Sequence, residues 1–128
     1  LGKKRDYNLP AMVGIFTVFG FPMDAHVALE SVHAMPGQGV SSMFSFGRGL
    51  GLWQGILAAL GIPYTMVPPQ RWKKAMLDGM PKEKDASRIV AGRLFPQYAD
   101  QMSRKKDHGR ADALLMAEWL RRTHNHGG

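Results

Sequence analysis

The spacing of apolar positions changes from stretch to stretch along the chain, and each change marks an element. Pro10 is a good first helical residue, and AMVGIFTVF behind it predicts an apolar helix, though the run is short and β-branched enough for a strand to fit as well. Gly20, Phe21 and Pro22 end it. Ala25 to Glu30 (AHVALE) predicts a short buried strand that finishes on a carboxylate. Ser31 to Ser42 (SVHAMPGQGVSS) has the Gly, Pro and small residues of a long loop, with Met43, Phe44 and Phe46 at its end. A helix is expected from Ser45 to Leu60, capped by Gly61, and Pro63 to Val67 forms a second strand closed by Pro68 and Pro69. Strand, helix, strand in that order predicts a βαβ crossover in a parallel sheet.

The second half reads as helices. Gln70 to Leu77 (QRWKKAML) makes a short one. Lys82 to Leu94 makes an amphipathic one in which Ala86, Ile89, Val90 and Leu94 face inward, with Lys82, Lys84 and Arg88 outward or along one edge. Pro96 ends it, a polar segment runs to Ser103, and the last helix opens in Lys105 to Trp119 (KKDHGRADALLMAEW). The tail THNHGG carries a His-x-His pair that reads as a frayed terminus rather than a metal site. There is no internal repeat.

The last helix holds the most pointed chemistry. His108 and Asp112, at i and i+4, share a face about one turn apart. Leu115, Met116 and Trp119 fall on the side of Asp112, and Arg110 and Arg121 fall opposite, so the imidazole and carboxylate are expected toward the core. A carboxylate is costly there unless a donor, a cation or a metal pairs with it. A purely structural account has Asp107 capping the helix and Asp112 meeting Arg110 or water. Glu30 sits at a strand end, where open α/β sheets place ligands. Gly47, Gly51 and Gly55 recur every fourth residue, which costs helix propensity and predicts close approach of another backbone or a ligand, with Arg48 and Gln54 beside them. The run GRGLG matches neither the dinucleotide fingerprint nor the phosphate loop with its Lys, so no nucleotide cofactor is expected.

Charge sharpens this picture. The 128 residues carry a net +7, but residues 11–68 hold only Arg48 against Asp24 and Glu30, a net of −1, which leaves +8 on the rest. The positive charge lies in Lys3, Lys4 and Arg5, in Arg71, Lys73 and Lys74 beside Trp72, in Lys82, Lys84 and Arg88, and in Arg104, Lys105, Lys106 and Arg110. An apolar body with basic segments predicts a nucleic-acid partner. The absence of cysteine rules out a disulfide scaffold and thiolate metal ligands, and no apolar run is long enough for a membrane span. One domain over residues 1–128 and a cytoplasmic setting are expected. Acidic residues inside a basic surface suit a phosphate binder when one or two Mg²⁺ ions neutralise them.

The stretches HVALE, GLGLWQG, PYTMVPPQRWKK, KEKDASRIV, LFP and above all RKKDHGRADALLMAEW resemble the RuvC-type Holliday-junction resolvases, in their bacterial, phage and plant chloroplast branch. The similarity runs from residue 3 to about residue 122. It implies a ribonuclease-H-like α/β fold and a homodimer. It also implies Mg²⁺-dependent (or Mn²⁺-dependent) nicking of four-way DNA junctions, in a bacterial or phage cytoplasm more than a plastid. The family's acidic tetrad maps Glu30, His108 and Asp112 onto its second, third and fourth positions as catalytic residues and metal ligands, with Asp107 a further candidate ligand. The family's first strand, with its catalytic Asp in a pattern like GIDPG, and the two strands after it have no counterpart here. The resemblance therefore implies helices packed on a sheet lacking its first three strands, and a chain that is N-terminally incomplete and inactive unless that segment is supplied. The alternative is a non-catalytic junction or duplex binder of the same fold.

Overall fold

The computed structural model describes residues 6–126 apart from 19, 21, 23, 32, 34 and 84. Lys3, Lys4, Arg5, Phe21 and Lys84 therefore lie outside the described residues. The order is α1 (Leu9–Thr17), β1 (Val27–Glu30), α2 (Val40–Ala59), β2 (Tyr64–Val67), α3 (Pro69–Met76), α4 (Ala86–Leu94) and α5 (His108–His126). Between α4 and α5 lie two 3-10 turns, Pro96–Met102 and Lys105–Asp107. Strands β1 and β2 pair with each other. Val27 N–H donates to Pro63 C=O and Ser31 N–H to Val67 C=O, an equal advance on both strands that makes the pair parallel, as the crossover predicted.

The chain forms two compact units, one of residues 1–27 and 32–65, the other of 28–31 and 66–128. In the first, the Asn8 side chain caps α1 by accepting from Ala11 N–H, and Pro10 lies in the first turn. Helix α2 begins at Val40, earlier than Ser45. Gly37, at φ +81°, turns the chain after Pro36, and nothing from Gly39 onward breaks a helix, so Met43 N–H already donates to Gly39 C=O. Phe44 and Phe46 are thus exposed helical residues rather than the end of a loop. At the other end Gly61, at φ +69°, forms a left-handed cap, with its N–H on Ala58 C=O and that of Ile62 on Leu57 C=O.

The three glycines at fourfold spacing do not meet the close neighbour expected of them. A Cβ on Gly47, Gly51 or Gly55 would have open space around it. Gly49 is the glycine the packing requires: it is buried, and a Cβ there would run into the Tyr7 ring and hydroxyl. Tyr7 is held there by donating to Ser45 C=O at 2.7 Å, with the Arg48 guanidinium 5.6 Å from its ring centroid. Phe16 and Trp53 meet edge to face at 5.9 Å, and join α1 to α2.

The second unit holds the main core. Val67, Trp72, Met76, Ala91, Met102, Ala111 and Leu115 are buried together, with Ala28, Val90 and Trp119 packed against them, so helices do cover the two-stranded sheet. Helix α4 starts at Ala86 rather than Lys82, because the chain after Pro81 first makes two turns, Glu83 N–H to Pro81 C=O and Ala86 N–H to Glu83 C=O. Its inward face is Ala86, Ser87 and Ala91; Ile89 and Leu94 are exposed. Arg88, expected outward, has a side chain only 16% exposed because its guanidinium finds Asp85 and two backbone carbonyls. On α5 the buried row is Ala111, Leu115 and Glu118, and this displaces the expected face: His108 is exposed and Asp112 half-buried. Helix α5 also runs on through His126, so residues 123–126 of the tail expected to fray are helical, and 127–128 lie outside the described residues.

Replacing Gly49 with Ala is expected to destabilise the chain by about 1–3 kcal/mol through overpacking against Tyr7. In a Tyr7→Ala background the same replacement should cost far less, because the obstructing ring is gone. Urea melts of the four proteins check this; equal costs in both backgrounds would mean that Tyr7 is not what Gly49 accommodates.

Candidate functional site

The second unit contains an open cleft of about 970 Å³. The end of α3 contributes Lys73 and Lys74, the connecting segment Asp78, Lys82 and Glu83, the start of α4 Ala86 and Ser87, and the first turns of α5 His108 and Asp112. Three ammonium groups, three carboxylates and an imidazole thus share one concavity, whose lining also includes the apolar Leu77, Met80 and Pro81. Local sequence explains each placement. Gly79, at φ +80°, turns the chain after α3, and the two turns that follow Pro81 delay α4 to Ala86, so Lys82 and Glu83 line the cleft ahead of α4.

The start of α5 is fixed by the residues just before it. Arg104 N–H donates to Asp107 Oδ2 at 3.2 Å, its Nε to the same oxygen at 3.2 Å and its Nη2 to Oδ1 at 3.3 Å. The Arg104 side chain, hydrogen-bonded to the buried Asp107 carboxylate, holds that carboxyl below the ordinary aspartate value. Asp107 thus does the capping work of the purely structural account. Its carboxylate is already occupied by Arg104 and does not line the cleft. Asp112, by contrast, meets the cleft.

Glu30 stands elsewhere in the same unit. Its Oε2 accepts from Trp72 Nε1 at 3.4 Å, and Trp72 is fully buried. Burial excludes Trp72 from stacking on a base, while Lys73 Nζ lies 5.7 Å from its ring centroid. The structure therefore brings His108 and Asp112 into one cleft and leaves Glu30 out of its lining. Among the described residues no three His, Asp or Glu side chains stand together so as to hold a metal ion.

The basic residues divide by type. Arg48 pairs with Asp6 at 2.5 Å, and Tyr7 N–H together with the Arg48 side chain holds the Asp6 carboxyl below its ordinary value. Arg104 is engaged with Asp107, and Arg110 donates to Gln101 C=O at 3.3 Å. Arg71, Lys105 and Lys106 are exposed, Gln54 is half-buried on α2, and Lys73, Lys74 and Lys82 line the cleft. Sequence reasoning passed over Asp78, Glu83 and Ser87, which the DGMPKEKDAS run could have suggested. It also passed over Glu118, a buried carboxylate at 2.5 Å from Arg121 and 3.7 Å from Arg122.

No protein-family profile matches the chain. It is 36% identical over 98 residues to the protein named Holliday junction resolvase MOC1, chloroplastic, of Chlamydomonas reinhardtii, an overlap of 77% of this chain and 11% of that protein. The chain belongs to the RuvC-like Holliday-junction resolvase family. It spans about a ninth of the relative's length.

Glu118 generates a pH prediction. Hydrogen bonding to Arg121 lowers its carboxyl below the ordinary 4.5. The stabilisation it brings is thus full above that unfolded value and is lost as pH falls through the lower folded one. Glu118→Gln is expected to cost about 1 kcal/mol at pH 7, and to soften the loss of stability below pH 4.5. Thermal melts from pH 7 to pH 3 check it; an unchanged acid slope would contradict the assignment.

Proposed function

We propose that the chain serves a structure-selective DNA endonuclease that resolves four-way junctions by metal-dependent phosphodiester hydrolysis, within a ribonuclease-H-like domain. The observation that carries this reading is the 36% identity to a protein named a Holliday junction resolvase. The cleft supports it. Lys73, Lys74 and Lys82 would hold a phosphodiester against His108 and Asp112, where a carboxylate can take a proton from an attacking water. Exposed Arg71, Lys105 and Lys106 extend a surface for the DNA backbone, to which Arg48, Gln54, Lys84, Arg104 and Arg110 are further proposed contacts.

Mg²⁺, with Mn²⁺ as substitute, is the cofactor we propose on the family's account, with Glu30, His108 and Asp112 as its ligands. The described arrangement does not by itself make that site, since only His108 and Asp112 share the cleft. The 128 residues have no counterpart of the tetrad's first Asp. We therefore propose that they nick a junction only when that carboxylate is supplied. The same observation favours a second reading, a junction or duplex binder that does not cleave. A homodimer is proposed as well, to match the twofold symmetry of a four-way junction. The relative's chloroplastic name puts a plastid on at least equal footing with the bacterial or phage cytoplasm expected from sequence. No helix among the described residues is long and apolar enough to cross a membrane.

Affinity for four-way junction, duplex and single strand, measured across salt, tests the proposal. Junction binding should be tightest and should fall steeply as salt rises, by the release of counterions from phosphates. Glu30→Gln and Asp112→Asn should leave binding within about twofold and, in a nicking-competent form with Mg²⁺, reduce the rate at least about 100-fold. Binding that ignores salt would remove the nucleic-acid reading, and nicking that survives both substitutions would remove these residues from the site.

A further inference from the structure

The first two turns of α5 carry His108 and Asp112, so whatever aims the start of that helix aims the cleft. Asp107 and Arg104 close its start, but both belong to the segment that needs anchoring. The anchor lies on α4. Arg88 Nη1 donates to Ser103 C=O at 2.8 Å and to Met102 C=O at 3.3 Å, while its Nη2 and Nε donate to Asp85 Oδ1 at 2.6 and 3.2 Å. The side chain is largely buried. One guanidinium thus ties the two carbonyls immediately before Arg104 to the residue that precedes α4. A guanidinium carries five N–H donors in one rigid plane, more than any other side chain, and so serves a carboxylate on one edge and two carbonyls on another. Its neighbours Ala86 and Ser87 line the same cleft as His108 and Asp112.

We propose that Arg88 is a positioning residue, which sets the first turn of α5 against the first turn of α4 and thereby the separation of the two walls of the cleft. Arg88 itself is not part of the cleft's lining. Removing it leaves the Met102 and Ser103 carbonyls without their shared donor and the Asp85 carboxylate without its cation, so the entry to α5 loosens while the Leu115 seam further along keeps its apolar contacts. Lysine keeps the charge and the stem, yet its single ammonium cannot serve a carboxylate on one side and two carbonyls on the other. The consequence for catalysis rests on the junction-resolvase reading; the consequence for the α5 entry does not.

Amide hydrogen exchange on the 128-residue chain and on Arg88→Lys and Arg88→Gln separates the two. Exchange at residues 104–112 is expected to quicken by at least about tenfold in both variants, while Leu115 to Leu120 and α3 change less than about twofold. The His108 ring resonances should shift with it. In a nicking-competent form, junction affinity should hold while the nicking rate at saturation falls about tenfold or more. Unchanged exchange at 104–112, or a uniform quickening across the unit, would overturn the proposal. Should Arg88→Gln unfold, Arg88→Lys alone carries the comparison. The local exchange effect in the variants, together with an unsubstituted chain that binds no junction, would leave Arg88 in place and remove the resolvase reading instead.

Discussion

A buried indole must find an acceptor for its N–H, and that requirement at Trp72 shapes the second unit. Trp72 is fully enclosed among Val67, Met76, Ala111 and Leu115, and the acceptor it meets is Glu30, at the end of β1. The core therefore constrains one of the carboxylates proposed as metal ligands. The next residue along α3, Lys73, lies against the same indole and faces the cleft. Strand end, core and cleft wall are linked through a single side chain. Any change at Trp72 would disturb all three.

The sequence made the framework legible because its breakers are unambiguous. Gly61 after the long helix, the paired prolines before α3 and Pro96 after α4 place their boundaries within a residue or two of the observed ones. Boundaries that depended on the absence of a breaker were harder. Val40 to Phe44 read as loop because Ser and Gly surround them, yet once past Gly37 and Gly39 a helix meets no obstacle. Lys82 to Asp85 read as helix because their spacing fits, yet the turns after Pro81 compete successfully.

For the site, periodicity located the right residues and misjudged their depth. A wheel drawn through Leu115 and Trp119 takes in Asp112 and His108, but a wheel cannot show that the row buried against the core is Ala111, Leu115 and Glu118, which leaves His108 in solvent. Nor can it show which glycine is crowded. Gly49 is distinguished by Tyr7, a residue 42 positions earlier, and nothing local to α2 reveals that. Arg88 was hidden for the same reason: its partners at Met102 and Ser103 are backbone carbonyls, which carry no sequence signature.

Charge was legible as a total but not as a division of labour. Arg48, Arg88, Arg104, Arg121 and Arg122 each form an ion pair with a carboxylate. The cations that line the cleft are all lysines. Physical chemistry accounts for the split. A guanidinium's planar fork can satisfy a carboxylate and a carbonyl at once, so it serves to fix segments in place. An ammonium on a flexible stem loses less by staying hydrated until a phosphate arrives. A net charge of +7 therefore overstates the fixed positive surface and understates the mobile one. In the second unit Arg88 and Arg104 fix the segment that leads into α5, and the lysines of the cleft are left to meet what enters it.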